Sequence, residues 1–274
     1  MSEKSTPLIA EVISIGDEMT SGARLDTNSQ WLSQQLALLG IRTEFHTTVG
    51  DRFQANVQVF RTAATRADVI VSTGGLGPTQ DDLTREAVAA ATDRPLEFRQ
   101  SAFDHIASLF SNRGRLMPEQ NRIQAMFPRG SREIPNPQGT APGIDLQWPH
   151  PRSAGSDEEA APTGVPRLFA LPGVPAEMRQ MWTGTVVPRL IEEMGAGRRK
   201  IHQHVVKCFG LGESEMERRL DGLIARDQIP NVGITVSQAT ISLRITAEED
   251  DDAICESMIA ATRERIIQSA GEFV

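Results

Sequence analysis

Between Leu8 and Ala91 the chain alternates three times between a short apolar run that ends in glycine and a segment with helical spacing, and this alternation restricts the fold more than any other feature. Leu8 to Ile15 runs into Gly16, and Leu32, Leu36 and Leu39 then recur at helical spacing behind the capping residues Asp26, Thr27 and Asn28. Gly40 closes that helix. Ile41 to Val49 ends at Gly50-Asp51 and precedes a stripe of Phe53, Val57, Phe60 and Ala64. Asp68 to Thr73, with the β-branched run Val69-Ile70-Val71, enters Gly74-Gly75-Leu76-Gly77-Pro78-Thr79, after which Leu83 to Ala91 is helical again. Successive strand-helix units predict an α/β fold, a parallel sheet with helices on both faces.

Gln147 to Pro166 is rich in Pro, Gly and acidic residues and reads as a surface loop. Arg167 to Leu171 resumes as a strand and Pro175 to Glu193 as a helix, and Gly195-Ala196-Gly197 reads as a hinge. Two domains are therefore expected, 1–196 and 197–274. The second reads as a small β-α-β-β-α unit, with strands over Ile201–Phe209, Val232–Ser237 and Thr240–Thr246 and helices over Ser214–Ala225 and Asp251–Ser269.

Charge narrows the partners. Lys and Arg number 28 against 36 Asp and Glu, a net charge of -8, so no long-range field draws in a nucleic acid. The polar start, Met1 to Pro7, lacks the apolar stretch of a signal peptide, and no run is long enough to span a membrane, which leads us to expect a cytoplasmic protein. Cys208 and Cys255 read as reduced, packed thiols on a strand and a helix. His202 and His204 share a strand face, but no third ligand is near in sequence to make a metal site with them. A G-x-S-x-G elbow is absent, which disfavours hydrolysis through a serine nucleophile.

Ligands of a parallel sheet collect at the carboxyl ends of its strands. Three segments fall at such ends: Gly16-Asp17-Glu18, Gly50-Asp51 and the glycine loop from Gly74 to Asp82. In the loop, Gly74, Gly75 and Gly77 let the backbone approach a ligand, and the helix that follows offers free amides to a phosphate. The spacing matches neither a Walker loop nor the dinucleotide G-x-G-x-x-G, and a tight turn capped by Asp81 or Asp82 explains the same residues equally well. Carboxylates beside a phosphate repel it unless a divalent cation lies between, so a phosphate at this edge implies a metal.

Ile15-Gly16-Asp17-Glu18, Thr47-Thr48-Val49-Gly50-Asp51 and Ser72 to Thr84 resemble the CinA (competence/damage-inducible) family, whose front domain shares the molybdopterin-binding fold of MoaB and MogA proteins. Met117 to Arg122, Asn136 to Gly143, Leu171 to Met178 and Phe209 to Ser214 look like further signatures of that family. The small unit resembles a KH domain, but it lacks the G-x-x-G clamp and carries nine basic against thirteen acidic residues from Arg199 onward, a net charge of -4. RNA recognition is therefore not expected of it; packing or contacts within a homodimer are. Many members continue into a domain that deamidates nicotinamide mononucleotide, an activity not expected of a chain that ends at Val274.

The resemblance implies a metal-dependent pyrophosphatase acting on ADP-ribose or a related dinucleoside diphosphate. Asp51 and Asp82 would hold Mg²⁺ or a similar transition-metal ion, and Glu18 or Asp17 would position water. Gly74, Gly75 and Gly77 would hold the diphosphate, with Thr79 and Asn28 as phosphate or sugar contacts that also have cap or turn roles. The alternatives are molybdopterin binding or nucleotidyl transfer, as in MogA-like proteins, and a non-catalytic nucleotide-binding module.

Overall fold

The computed structural model describes residues 8–149, 165–194, 200–220, 222–224, 228–237, 239–249 and 251–274. The Pro- and acid-rich stretch 150–164 and the Gly195–Gly197 hinge lie outside the described residues. The chain is divided into two units, a larger and a smaller one, each with a core of its own.

The larger unit starts with β1 (Leu8–Ile15), the short α1 (Asp17–Thr20), α2 (Thr27–Leu38) and β2 (Ile41–Val49). It continues with α3 (Phe53–Arg66), β3 (Val69–Thr73), α4 (Thr84–Ala91), β4 (Leu96–Phe98) and α5 (Gln100–Ser111). A 3₁₀ segment, Glu119–Ala125, precedes the short strands β5 (Met126–Pro128) and β6 (Arg132–Ile134), then β7 (Gly143–Gln147) and β8 (Arg167–Leu171). The closing helix begins as α6 (Pro175–Met181), widens into a π-turn over Trp182–Val186 and runs on as α7 (Val187–Met194).

The main sheet has the order β2-β1-β3-β8-β7-β6. β3 pairs in parallel with both β1 and β8. Consecutive residues of β1, β3, β7 and β8 are buried, which requires cover on both faces. One face is closed by a cluster in which Phe60 of α3, Val88 of α4 and Ile106 of α5 meet Ile13, Ile70 and Leu168 of the sheet. The sheet departs from a wholly parallel one at one side, where β7 runs antiparallel to β8 and β6 antiparallel to β7. For the β6–β7 pair the reason is chain length: residues 135–142 link the two strands, and a parallel crossover needs roughly a dozen residues or more.

In the smaller unit β9 (Lys200–Phe209), α8 (Glu213–Arg219), β10 (Asn231–Ser237), β11 (Thr240–Glu249) and α9 (Asp252–Ala270) form an antiparallel sheet of order β10-β11-β9 with two helices. Val206, Cys208, Leu243 and Ile245 of the sheet pack on Met216, Leu220 and Ile266 of the helices. Asp251 caps α9, accepting from the Ala253 amide at 2.7 Å. The helix expected to reach Ala225 stops at Arg219, because Gly222 takes a left-handed φ of 74° just beyond it. Both thiols are free and buried, and burial raises their pKa values.

Candidate functional site

The register of the sheet brings three strand ends level: Ser14 of β1 lies opposite Thr73 of β3, and Thr73 lies opposite Leu171 of β8. Two backbone bonds extend the alignment, from the Gly16 amide to the Val49 carbonyl and from the Gly74 amide to the Leu171 carbonyl, both 3.0 Å. A cavity of about 500 Å³ opens at this edge. Its walls are the segment after β1, the glycine loop after β3, the Pro172–Pro175 turn after β8, and Thr140-Ala141.

The glycine loop is shaped first by the protein's own packing. A Cβ on Gly74, whose φ is 107°, would fall on the Ile15 carbonyl; one on Gly75, at φ 64°, would fall on the Thr84 hydroxyl; one on Gly77 would fall on the Asp82 carboxylate. The three glycines nevertheless line the cavity. Among the described residues, the amides of Gly75, Leu76 and Gly77 have no protein acceptor, whereas those of Gly74 and Thr79 are used. Three successive residues that line the cavity thus keep N–H groups without a protein acceptor, the kind of backbone group that can bind an anion.

Carboxylates gather beside them. Glu18, Asp26, Asp51, Asp81, Asp82 and Glu177 all line the cavity, with Arg24 as the cation among the lining residues. None of these acids is in an ion pair with Lys or Arg among the described residues. Burial raises the pKa of Asp51; the bond from the Asp17 amide opposes this, and the charges of Asp17, Glu18 and Asp81 add to the rise. Asp17 and Asp51 are tied reciprocally, the Asp17 amide donating to Asp51 Oδ2 at 2.9 Å and the Asp51 amide to Asp17 Oδ1 at 3.1 Å. The Thr79 hydroxyl bonds to both Asp81 and Asp82, which holds Asp81 below its ordinary pKa, and the Thr79 amide donates to Asp82 Oδ2 at 2.9 Å.

Of the residues singled out in the sequence, Glu18, Asn28, Asp51, Gly74, Gly75, Gly77 and Asp82 line the cavity. Asp17 and Thr79, both exposed, are not among the lining residues but bond to Asp51 and to the two loop acids. Asn28 is not the cap of α2. That role falls to Asp26, which accepts from the Ser29 amide at 2.9 Å, while Asn28 Nδ2 bridges Thr73 Oγ1 at 3.1 Å and the Gly173 carbonyl at 2.9 Å. Glu177, Gln124 and Arg24 were not singled out, although Glu177 lies in one of the segments resembling a family signature. Asn136 explains its place: its Nδ2 donates to Glu177 Oε2 at 2.7 Å and to the Ala141 carbonyl at 2.9 Å, fixing acid and loop together.

In the smaller unit His202 Nε2 lies 2.7 Å from Asp252 Oδ1. Among the described residues no group of three or more His, Cys, Asp or Glu side chains is placed to hold a metal ion. No helix among them is long and apolar enough to cross a membrane.

Two family models account for most of the chain. Residues 11–192 match the probable molybdopterin binding domain, and residues 203–274 match the damage-inducible protein CinA KH domain. The chain belongs to the CinA-like family. It is 37% identical over 262 residues to a CinA-like protein of Nostoc punctiforme, covering 96% of this chain and 59% of that protein. It is 35% identical over 267 residues to a putative competence-damage inducible protein of Bacillus subtilis, covering 97% and 60%. The chain thus spans about three fifths of the length of these curated relatives. The crystal structure of the CinA protein of unknown function from Thermoplasma acidophilum superposes with a TM-score of 0.55 at 30% identity, covering 67% of this chain and 99% of that one.

Proposed function

We propose that this CinA-like chain is a divalent-metal-dependent pyrophosphatase that hydrolyses ADP-ribose or a related dinucleoside diphosphate. The observation that carries the reading is the meeting, in one cavity, of three loop residues whose amides have no acceptor and several carboxylates that have no cationic partner, both among the described residues. The amides call for an anion and the carboxylates for a cation, and a metal-bound diphosphate satisfies both.

Asp51 and Asp82 are the residues that would hold the ion, and the unfavourable environment of ionised Asp51 is the kind a cation relieves. Mg²⁺ needs only one or two carboxylates when phosphate oxygens and water complete its shell, so two aspartates would suffice for the proposed ion. When bound, the ion would polarise a phosphoryl oxygen and acidify water. The chain's own contribution is positional. Gly75, Leu76 and Gly77 would donate N–H groups to the diphosphate, Glu18 would orient the attacking water, and Asp17 and Thr79 would hold Asp51 and Asp82 in place.

A second reading, molybdopterin binding, draws on the family model over residues 11–192. Thermal protection separates the two: ADP-ribose with Mg²⁺ should raise the unfolding midpoint more than molybdopterin does. The direct test incubates the protein with nucleoside diphosphate compounds and several divalent ions and identifies the products. No hydrolysis with any pair would remove the pyrophosphatase reading.

A further inference from the structure

Arg85, the second residue of α4, is completely buried and forms no ion pair with a carboxylate among the described residues. Its guanidinium instead donates to two main-chain carbonyls, Leu76 at 2.7 Å and Pro142 at 3.3 Å, and its Nε has no partner among the described residues. Gln124 Nε2 adds a second donor to the Leu76 carbonyl at 3.4 Å. Burial lowers the guanidinium pKa to about 10, with the fields of Glu86 and Asp82 opposing, so the group keeps its charge at neutral pH. A buried, unpaired cation is costly, and an apolar side chain would fill the same space without that cost. Its place behind the glycine loop accounts for the charge.

The peptide joining Leu76 to Gly77 is trans, so its N–H points opposite to its C=O. The carbonyl is drawn inward onto Arg85 and Gln124. The N–H at the other end belongs to Gly77, which lines the cavity and has no acceptor among the described residues. A cation on the carbonyl also polarises the peptide and makes that N–H a stronger donor. We propose that Arg85 is a positioning residue that fixes and polarises the Leu76–Gly77 peptide, so that the Gly77 amide donates to a phosphate oxygen of the ligand. The bond to Pro142 extends this hold to the Asn136–Gly143 wall. The ligand assignment rests on the proposed function, whereas the orientation of the peptide does not.

The test is an amide NMR titration with inorganic pyrophosphate and Mg²⁺ on the wild-type chain, Arg85→Lys and Arg85→Met, with unfolding midpoints measured in parallel. The Gly77 amide resonance should move downfield on binding in the wild type. Arg85→Met should bind pyrophosphate on the order of tenfold more weakly, the weight of a charge-assisted hydrogen bond. Arg85→Lys, which keeps the charge and one donor, should recover part of that loss. An unmoved Gly77 amide in the wild type, or variants that bind pyrophosphate as tightly as the wild type, would overturn the proposal. If Arg85→Met does not fold, the wild-type shift and the Lys variant decide it. Pyrophosphate binding through Gly77 without ADP-ribose hydrolysis would sink the pyrophosphatase reading and leave this one standing; hydrolysis with Gly77 unmoved would do the reverse.

Discussion

Thr84 closes the glycine loop against Gly74: its hydroxyl donates to the Gly74 carbonyl at 2.9 Å, and its amide donates to the Gly75 carbonyl at 3.1 Å. The same hydroxyl occupies the place a Cβ on Gly75 would take. Gly75→Ala is therefore expected to destabilise the fold by about 2–4 kcal/mol, combining a left-handed backbone that non-glycine residues resist with an overpacked contact. Chemical denaturation checks this. A loss below about 0.5 kcal/mol would show that the loop moves freely off Thr84.

The second prediction concerns Asp51. Its ionised form is opposed by burial and by the charges of Asp17, Glu18 and Asp81, so charging it at neutral pH works against the fold. Asp51→Asn removes that charge yet keeps an oxygen to accept from the Asp17 amide. In metal-free buffer at neutral pH the variant should unfold at a higher temperature than the wild type, and with Mg²⁺ added it should lack the turnover that the proposed function assigns to the wild type. A lower midpoint would mean that the carboxylate is compensated.

The third turns to Asp145 on β7, nearly fully buried beneath three guanidinium groups. Arg167 reaches it at 2.6 and 2.8 Å, Arg189 at 2.8 Å and Arg132 at 3.1 Å. Asp145→Asn leaves those cations facing a neutral amide, and breaking such a buried arrangement costs about 3–5 kcal/mol. Denaturant unfolding measures it; a change under about 1 kcal/mol would show the arginines already satisfied by water.

These three residues show how unevenly the structure could be read in advance. β1, β2, β3 and their helices were legible because buried strands ending in glycine and helices with an apolar stripe leave a periodic signal, and the ends of those strands marked Glu18, Asp51 and Asp82. The short strands between Leu96 and Ile134 gave none, since β4, β5 and β6 are three residues each and their register is set by tertiary contacts. The antiparallel β6–β7 pair escaped for that reason. Arg85 and Asp145 escaped for another: a charged residue reads as surface, and only the fold reveals a cation held by carbonyls or an acid beneath three arginines.

A fourth prediction lies in the smaller unit. Asp252 opens α9, accepts a 2.7 Å bond from His202 and has Lys200 at 3.8 Å, and these partners, His202 foremost, hold its carboxyl below the ordinary 3.8. A depressed carboxylate stabilises the fold above its unfolded pKa, and this contribution fades as pH falls through the folded value. The pair should thus matter at neutral pH and vanish in acid below 3.8. NMR titration of the Asp252 carboxyl should show its midpoint rising in His202→Ala; an unchanged midpoint would discard the pairing.

The last prediction separates the two roles of Asp82. Its Oδ2 accepts from the Thr79 amide at 2.9 Å and from the Thr79 hydroxyl, so the side chain staples the turn that follows the glycine loop. Alanine would remove staple and charge together, and a loss of activity in that variant would not say which mattered. Asparagine keeps an oxygen for the Thr79 amide and removes only the charge. Asp82→Asn should therefore unfold within about 0.5 kcal/mol of the wild type, while Asp82→Ala loses about 1 kcal/mol, the usual weight of a capping side chain. If Asp82 holds the metal, both variants should lose metal-dependent hydrolysis of ADP-ribose by at least a hundredfold, because a neutral amide is a poor ligand for a hard cation. Turnover retained by the asparagine variant and lost by the alanine variant would assign Asp82 to the turn, leaving Asp51 to carry the metal without it.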